Sequence, residues 1–470
     1  MFFRQIMDPE LAQYAYLLGC QRTGEALIID PGRDIDRYTR IAKGEGLSIV
    51  AATETHIHAD FLSGLREFAE HHQITIYVSD EGGTDCEYIW PKDPAYDVHP
   101  LKDNDEFMIG NICVRALHTP GHTPEHMSFL VTDTGSGATE PIGIASGDFV
   151  FVGDLGRPDL LETAAGVSGA QDPSARLLYG STKRFLALQD HLQVWPGHGA
   201  GSACGKALGA VPMSTVGYER RFNAALGFDT EEAFVGAILD GQPEPPLYFA
   251  RMKELNTKGA PILGTLPTPA LYPIKELVEH SATGHAVIVD TRRDRRGFME
   301  GHISGALYAP LGINFPMIVG SYVDPAAEIY LILDPEKLDL AVRTLVRIGY
   351  DNIVGFTPTS EVSGSSLADQ AMSRIEFPDM EANVDTDKWT VLDVRGASEF
   401  NTAHIPGALN IAHTRLATRI DEVPKDKPVM TYCRSGNRAS AAAALLAKKR
   451  VRCHTDRWCL RGLGRLGLGS

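Results

Sequence analysis

The sequence is short of basic residues and contains no long apolar run. Lysine and arginine number 44 against 60 aspartates and glutamates, which gives a formal net charge of −16 over 470 residues. This excess of negative charge argues against nucleic acid or an anionic membrane surface as a partner. No segment approaches the roughly 18 consecutive apolar residues of a membrane span. The N-terminal segment has no apolar core either, so we expect neither a signal peptide nor a transit peptide.

Cysteine is also scarce, because the chain has seven, an odd number at irregular spacing. A disulfide framework needs paired cysteines, so this pattern favours a reducing cytoplasm. Most of the cysteines are expected to be small buried residues. They are Cys20, Cys86, Cys113, Cys204, Cys433, Cys453 and Cys459.

What the first half of the chain does contain is a series of histidine and aspartate motifs. An apolar run over residues 48–52 leads into His56-Ile57-His58-Ala59-Asp60, which gathers two imidazoles and a carboxylate. Three further segments place a histidine or an aspartate beside a predicted strand end. Such a concentration of polar side chains has no packing role and indicates a metal site. The three segments are centred on Gly121-His122, Gly147-Asp148 and Gly197-His198.

The four motifs in this order resemble the metallo-β-lactamase superfamily over roughly residues 1–250 and, within it, the persulfide dioxygenases. The resemblance implies an αββα sandwich with one Fe²⁺ per chain at the edge of its two sheets. It assigns the iron ligands to His56, His122 and Asp148, a 2-His-1-carboxylate set that leaves three positions open for O₂ and substrate. Asp154 is an alternative carboxylate. The groups that would orient ligands or substrate are His58, Asp60, Arg157 and His198.

Phe61 narrows the prediction to a site for a single metal ion. Hydrolases of this superfamily, such as glyoxalase II, have a histidine at this position, which holds a second metal together with Asp60 and His198. A phenyl ring cannot bind a metal, so we expect the second position to be weak or empty. Cys204 lies in a glycine-rich loop six residues after His198. It is interpreted either as a thiol that reaches the substrate channel or as a small residue packed beneath the loop.

The second half of the chain contains a duplication with a period of about one hundred residues. Residues 287–307 and residues 391–409 both contain an Asp-x-Arg sequence followed by His-Ile-x-Gly-Ala. In each copy, short apolar strands alternate with helical segments, which predicts a parallel sheet flanked by helices. Both copies resemble rhodanese modules, which carry these two signatures.

The copies differ where rhodanese chemistry takes place. In the second copy, a strand over residues 429–432 ends at Cys433, and a helix is predicted over residues 439–448. A short loop there directs backbone N–H groups inward, so that together with Arg434 or Arg438 it stabilises a thiolate or a persulfide anion. The first copy has no cysteine at the corresponding strand end, so it is interpreted as a structural or docking copy.

The end of the second copy departs from the rhodanese pattern. After Lys449 the sequence becomes a basic tail rich in glycine, leucine and arginine, where a further strand and helix are expected. A frameshift or truncation in the source gene is one hypothesis for this tail. Cys453 and Cys459, which lie in it, are not expected to be functional.

We therefore predict an α/β protein of three domains. A metallo-β-lactamase-fold dioxygenase domain spans residues 1–250, and a rhodanese-like domain without the catalytic cysteine spans residues 265–360. A rhodanese domain with Cys433 spans residues 370–470. Proline-rich segments precede the first rhodanese copy and act as semi-rigid spacers.

The implied reaction is the oxidation of a low-molecular-weight thiol persulfide by O₂ to sulfite and free thiol. Sulfur transfer through Cys433 would accompany it, with sulfite as a sulfur acceptor. We expect a cytoplasmic enzyme, and proteins of this superfamily often form homo-oligomers. A zinc thioester hydrolase of the glyoxalase II type is disfavoured by Phe61. A non-enzymatic sulfur carrier is disfavoured because structural zinc sites usually close with four protein ligands.

Overall fold

The computed structural model describes residues 1–83, 86–164, 166–281, 286–372 and 388–449. The basic tail with Cys453 and Cys459 lies outside these ranges. The chain divides into two compact units, the first made of residues 1–266 with 346–349 and the second of residues 267–345 with 350–470. Within the described ranges, no helix is both long enough and apolar enough to cross a membrane.

The first unit begins with a six-stranded mixed sheet. Its strands are β1 (Phe2–Asp8), β2 (Gln13–Cys20), β3 (Glu25–Ile29), β4 (Ser48–Thr53), β5 (Thr75–Ser79) and β6 (Val98–Leu101). They lie in sequence order across the sheet. Neighbours from β1 to β3 are antiparallel, and neighbours from β3 to β6 are parallel.

A second six-stranded sheet follows. Its strands are β7 (Glu106–Ile109), β8 (Ile112–His118), β9 (Met127–Asp133), β10 (Gly143–Gly147), β11 (Gln193–Pro196) and β12 (Ser214–Thr215). They also lie in sequence order. Only the β10–β11 pair is parallel among these neighbours.

The first unit also contains seven described α-helices. They are α1 (Asp36–Gly44), α2 (Leu65–His72), α3 (Leu160–Thr163), α4 (Gln171–Leu186), α5 (Val216–Phe222), α6 (Glu231–Leu239) and α7 (Tyr248–Lys258). Tyr38 of α1 and Phe68 of α2 share a buried cluster with the first sheet. Phe185 of α4 and Phe234 of α6 do the same for the second sheet.

A third buried cluster lies between the two sheets, and it explains the sandwich. Tyr16 and Leu18 of β2 belong to this inner cluster, whereas Ala15 and Leu17 belong to the cluster under the helices. Alternate residues of a strand point to opposite faces, so a strand that is apolar at every position must be covered on both sides. The predicted αββα sandwich is confirmed.

The second unit contains two parallel sheets. The first has five strands, β13 (Ala270–Leu271), β14 (Ala286–Asp290), β15 (Leu307–Tyr308), β16 (Glu328–Ile332) and β17 (Ile353–Thr357). Their order is β13-β17-β16-β14-β15. The second has three described strands, β18 (Thr390–Asp393), β19 (Leu409–Asn410) and β20 (Val429–Tyr432), in the order β19-β18-β20. The predicted parallel sheets are confirmed.

The described helices of the second unit alternate with these strands. They are α8 (Ile274–Ser281), α9 (Arg295–Glu300), α10 (Phe315–Tyr322), α11 (Leu338–Arg347), α12 (Thr359–Val362), α13 (Ala397–Thr402) and α14 (Asn437–Lys448). The predicted strand over residues 429–432 coincides with β20. The predicted helix over residues 439–448 begins two residues earlier, as α14.

The Asp-x-Arg motif has the same structure in both copies of the repeat. In the first, Arg292 Nη2 donates to Asp290 Oδ2 at 2.7 Å and to the carbonyl oxygen of Gly301 at 2.9 Å. In the second, Arg395 Nη2 donates to Asp393 Oδ2 at 2.6 Å and to the carbonyl oxygen of Ala403 at 2.7 Å. Each motif therefore ties a strand end to the loop that carries the His-Ile-x-Gly-Ala sequence.

Candidate metal centre

The predicted metal ligands lie on loops that follow strands. His56 comes three residues after β4, and His122 lies in the turn between β8 and β9. Asp148 follows β10 directly, and His198 comes two residues after β11. In the second sheet β8, β10 and β11 run in the same direction, so their carboxyl ends lie at one edge, and the loop after β4 of the first sheet meets them there.

Three of these side chains form a buried cluster. His56, His122 and Asp148 each offer a ligand atom, and these atoms all lie within 4.8 Å of one another. His122 Nε2 is 3.5 Å from Asp148 Oδ2. Neither carboxylate oxygen of Asp148 accepts a hydrogen bond of good geometry from the described residues. A buried carboxylate without donors is destabilising, so these residues fit a cation between them.

The imidazoles are held by hydrogen bonds on the side away from the cluster. His122 Nδ1 is 2.9 Å from the carbonyl oxygen of Arg157, which can only accept, so Nδ1–H donates and Nε2 carries the lone pair. His56 Nδ1 lies 3.0 Å from Thr55 Oγ1, whose hydroxyl donates to the carboxylate of Asp30. Contacts of this kind fix the tautomer that a metal ligand needs.

Burial sets the charge of the cluster. Loss of water lowers the pKa of His56 well below its usual value, and it lowers the pKa of His122 to about 3. Both rings are therefore neutral at pH 7, the form that binds metals. Burial raises the pKa of Asp148 to about 6, against the opposing effect of His198. The carboxyl group is thus still mostly ionised at neutral pH.

Gly156 and Gly197 leave the space that Asp148 occupies. A Cβ atom on Gly156 would overlap the backbone oxygen of Asp148, and one on Gly197 would overlap its Oδ1. Any side chain at either position would displace the carboxylate or its backbone.

His58 and Phe61 lie beside the cluster and are outside it. His58 Nε2 is 3.2 Å from Asp30 Oδ1, while its Nδ1 has no hydrogen-bond partner among the described residues. Burial disfavours a charge on His58, but Asp30 outweighs this and raises the pKa of His58 to about 9. The Phe61 ring packs on the His58 ring with centroids 4.3 Å apart.

The remaining predicted residues fall into two groups. Asp60, His198 and Cys204 form a second buried cluster, whose ligand atoms also lie within 4.8 Å of one another. Arg157 does not face the cluster, because its guanidinium pairs with Asp159 at 2.6 Å and donates to the carbonyl oxygen of Ala203 at 3.1 Å. The structure thus gives Arg157 a supporting position. The Cys204 thiol is buried beneath its loop and also lies beside the Asp60 and His198 side chains.

Asp154, the alternative carboxylate, is not part of either cluster. Its Oδ2 accepts hydrogen bonds from the backbone N–H groups of Lys206 and Ala207 at 3.1 and 2.8 Å. These two bonds hold the loop after Cys204 in place. The Asp154 carboxylate does not belong to the cluster of His56, His122 and Asp148. The choice of Asp148 as the candidate ligand is therefore the one the geometry favours.

Sequence reasoning missed His126 and Asp30. His126 Nε2 accepts the backbone N–H of Asp148 at 3.1 Å, and Asp30 contacts both Thr55 and His58. Two signals were available in the sequence. Asp30 follows the apolar strand β3 directly, as Asp148 follows β10, and His126 follows His122 by four residues.

The cysteine loop of the second unit has the predicted form. Cys433 is buried, and its Sγ accepts from the backbone N–H groups of Gly436 at 3.1 Å and Ala439 at 3.4 Å. Arg438 pairs with Glu399 at 2.6 Å, and its guanidinium also lies beside the Cys433 thiol. The side chain of Arg434 is exposed. Of the two predicted arginines, Arg438 is the one in place to act on the sulfur.

The first copy has no such loop. A 3₁₀ turn over Pro335–Lys337 follows β16 and leads directly into α11. The carboxylate of Asp334 pairs with Lys337 at 2.5 Å. This strand end therefore holds an ion pair where the second copy holds a thiol.

Comparison with known proteins agrees with this architecture. The metallo-beta-lactamase superfamily matches residues 8–198, and the rhodanese-like domain matches residues 377–462. A probable metallo-hydrolase of Burkholderia pseudomallei is 30% identical over 293 residues, which are 56% of this chain and 92% of that protein. The crystal structure of a metallo-beta-lactamase from Staphylococcus aureus covers 76% of this chain and 99% of its own, with 42% identity and a TM-score of 0.67.

The chain therefore belongs to the metallo-β-lactamase superfamily and carries a C-terminal rhodanese-like domain. Within the superfamily it is related to the mitochondrial persulfide dioxygenase ETHE1. The Bos taurus protein is 27% identical over 237 residues, which are 49% of this chain and 78% of that protein. The predicted fusion is confirmed, while the rhodanese character of the first copy stays a prediction.

Proposed function

We propose that the first unit is an Fe²⁺-dependent persulfide dioxygenase. The observation that carries the proposal is the cluster of two histidines and one carboxylate. His58 is hydrogen-bonded to Asp30 and does not belong to this cluster. Such a set occupies one face of an octahedral ion, and it is typical of non-haem iron oxygenases. The relationship to ETHE1 supports persulfide as the substrate.

The proposed reaction converts a persulfide, O₂ and water into thiol, sulfite and two protons (RSSH + O₂ + H₂O → RSH + SO₃²⁻ + 2 H⁺). The outer sulfur loses four electrons, and O₂ accepts them. Bound Fe²⁺ would supply redox chemistry and open coordination positions for oxygen and sulfur. His56, His122 and Asp148 would hold the ion, while Thr55 and the Arg157 carbonyl keep the two imidazoles in the ligating tautomer.

A small, largely apolar pocket lies beside His122. Its walls include Ile57, Leu160 and Phe249, and Lys253 lies among them. Apolar walls exclude water from the reacting sulfur. The ammonium group of Lys253 attracts an anionic substrate, which suits a thiol carrier that bears carboxylates.

We propose that the second unit transfers sulfur through Cys433. The two N–H donors from Gly436 and Ala439 stabilise negative charge on the sulfur, whether it is a thiolate or the terminal anion of a persulfide. The Cys433 thiolate would attack the outer sulfur of a small-thiol persulfide and release the small thiol, which leaves a persulfide on Cys433. Sulfite would then attack the outer sulfur of that persulfide, which gives thiosulfate and restores the Cys433 thiolate. The product of the first unit would thus be the acceptor for the second.

The test is oxygen uptake by iron-loaded full-length protein with glutathione persulfide, together with iron analysis. His56→Ala, His122→Ala and Asp148→Ala should each lose bound iron and lower the uptake at least 100-fold, because each removes one of three ligands. His58→Asn is the matched comparison, and it should retain iron and at least one-tenth of the uptake.

Two outcomes would contradict the proposal. Hydrolysis of a glutathione thioester without oxygen uptake would favour a zinc hydrolase. Loss of iron in His58→Asn as complete as in His56→Ala would show that His58 Nδ1 is a ligand and that the three-residue set is wrong.

A further inference from the structure

The last residues of helix α11 belong to the first unit. The helix comes from the repeat copy without a cysteine, yet residues 346–349, which include its last two residues, cluster with residues 1–266. Arg347 is buried, and its guanidinium donates to both carboxylate oxygens of Asp34, at 2.8 and 2.6 Å, and to Asp8 Oδ2. Both carboxylates are buried as well. A planar guanidinium fixes the direction of each partner, so this contact holds its surroundings in a defined geometry.

The backbone of this segment is bound as closely as its side chain. The carbonyl oxygen of Arg347 accepts the N–H of Leu62 at 2.7 Å, and Arg251 of α7 donates to the carbonyl oxygens of Ile348 and Gly349 at 2.7 and 3.0 Å. Gly349 has a φ of +72°, and a Cβ atom there would lie 2.9 Å from Arg251 Nη1. The turn after α11 is therefore fitted between two elements of the first unit.

One set of contacts leads from Arg347 to the loop after β4. The Leu62 peptide group is bonded on both sides, because its N–H donates to Arg347 and its carbonyl oxygen accepts a backbone N–H from the chain after β3 at 3.1 Å. The preceding residue, Phe61, packs on the His58 ring, whose centroid is 4.3 Å from that of the His56 ring. The position of Leu62 thus bears on both histidines of this loop.

A second set of contacts leads from Asp8 to the loop after β11. Asp8 Oδ1 accepts the N–H groups of Glu10 and Leu11 at 3.0 and 3.1 Å, which shapes the turn after β1. The next residue, Ala12, has a φ of +50°, a value that residues other than glycine rarely adopt. Its carbonyl oxygen accepts from His198 Nδ1–H at 3.2 Å. The turn that Asp8 shapes therefore orients the His198 ring.

Both sets of contacts reach the cluster of His56, His122 and Asp148, since His198 Nε2 is 3.5 Å from Asp148 Oδ1. We propose that the copy without a cysteine serves the metal centre through Arg347, a positioning residue that holds these two loops beside the cluster. Groups that orient metal ligands without touching the metal determine its affinity. The copy thus has a task that requires no sulfur chemistry.

This proposal does not rest on the reaction of the first unit, because it concerns how the candidate ligands are held. Two measurements on the full-length protein test it, and neither records oxygen uptake. Amide hydrogen exchange of the metal-free protein, followed by mass spectrometry, reports on the two segments that Arg347 holds, residues 8–14 and 57–64. Competition with a coloured Fe²⁺ chelator gives the affinity for the metal.

Arg347→Met keeps an apolar stem and removes the cation that pairs with Asp8 and Asp34. Hydrogen exchange in both segments should become faster by about 10-fold or more. The affinity for Fe²⁺ should fall by about 10–100-fold, because both loops beside the cluster lose a support. Strand β9, which Arg347 does not hold, should exchange as in the wild type.

Arg343→Met is the matched control. Arg343 lies one turn earlier on α11, belongs to the second unit and pairs with Asp339 of the same helix at 2.9 Å. Both measurements should match those of the wild type.

Arg251→Met is a milder variant, which decides the matter if Arg347→Met does not fold. It leaves Arg347 and its carboxylates in place and removes the donors to Ile348 and Gly349. Exchange in residues 57–64 should become about threefold faster, with strand β9 unchanged.

Unchanged exchange in Arg347→Met and Arg251→Met would overturn the proposal. Equal acceleration of strand β9 in Arg251→Met would overturn it as well, because the whole first unit would then be destabilised. Faster exchange in Arg347→Met with unaltered Fe²⁺ affinity would leave Arg347 a role in stability alone. A wild-type protein that binds no Fe²⁺ would contradict the function proposed above, and hydrogen exchange without metal would still decide on the role of Arg347.

Discussion

His126 shows how single residues around the metal cluster determine its geometry. Its Nε2 accepts the backbone N–H of Asp148, so its Nδ1 carries the proton and donates to Thr119 Oγ1 at 2.9 Å. Burial lowers the pKa of His126 well below its usual value, which keeps the ring neutral and preserves both bonds. A residue that touches no metal therefore fixes the backbone of the candidate carboxylate ligand.

We predict that His126→Leu lowers iron affinity by about 10–100-fold, because the Asp148 N–H loses its acceptor and the carboxylate its orientation. The measurement is a titration in which a coloured Fe²⁺ chelator competes with the protein for iron, and the absorbance of the chelator complex is recorded. His99→Leu is the control, since His99 is exposed and its ring lies against the Asp97 carboxylate and the Tyr77 ring, far from the cluster in sequence. Equal affinities of His126→Leu and wild type would show that the loop holds Asp148 without this bond.

The residues that meet in the first cluster could be predicted from the sequence, but their supports could not. His56, His122 and Asp148 each stand in a short motif beside a strand end, and the resemblance to the persulfide dioxygenases selected these three as candidate ligands. The contacts of Asp30 and His126 join residues 25 and 22 positions apart, and such pairings are decided by the fold. The place of Cys204 depends on the path of a glycine-rich loop, which local sequence does not determine.

At the scale of elements, strands and helices with strong apolar patterns were predicted best. The strand β20 was located at its observed bounds, and α14 was located to within two residues, because an apolar run and an alanine-rich stretch define them. The first copy of the repeat was also interpreted correctly as lacking a cysteine loop, since its strand runs directly into the Pro335–Lys337 turn. The role of the Asp-x-Arg motif as an internal tie became visible only in the structure.

The Asp-x-Arg tie gives a prediction about stability. Asp393 is fully buried and neutralises Arg395, so Asp393→Asn leaves a buried guanidinium without its charge partner, at a cost of about 3–5 kcal/mol. The melting temperature of the second unit should fall by roughly 10 °C, as measured by calorimetry of the full-length protein. Asp421→Asn, which removes an exposed pair with Lys425, should change it by about 1 °C or less. A shift below that of Asp421→Asn would mean that the tie adds no stability.

At the scale of the whole molecule, the two proposed chemistries belong to two compact units of one chain. The first unit encloses both buried metal-ligand clusters, and the second encloses the Cys433 loop. Each site is completed by residues of its own unit. A substitution in one site should therefore leave the other proposed chemistry intact, and in the proposed scheme the sulfite made by the first unit is the sulfur acceptor of the second.

Cys433→Ser tests that link. A serine hydroxyl ionises far too weakly for this loop to make it a nucleophile, and it cannot carry a sulfane sulfur, so sulfur transfer should vanish. Oxygen uptake with glutathione persulfide should persist within about twofold of wild type, because the iron ligands are unaffected. The variant should accumulate sulfite, where wild type converts part of it to thiosulfate, and both anions can be quantified by chromatography.

Cys113→Ser, on strand β8 of the first unit, is the control for this variant and should give the wild-type ratio of sulfite to thiosulfate. Thiosulfate formed equally by Cys433→Ser would assign the transfer to a different thiol, and Cys204, beside the metal ligands, would be the first to substitute.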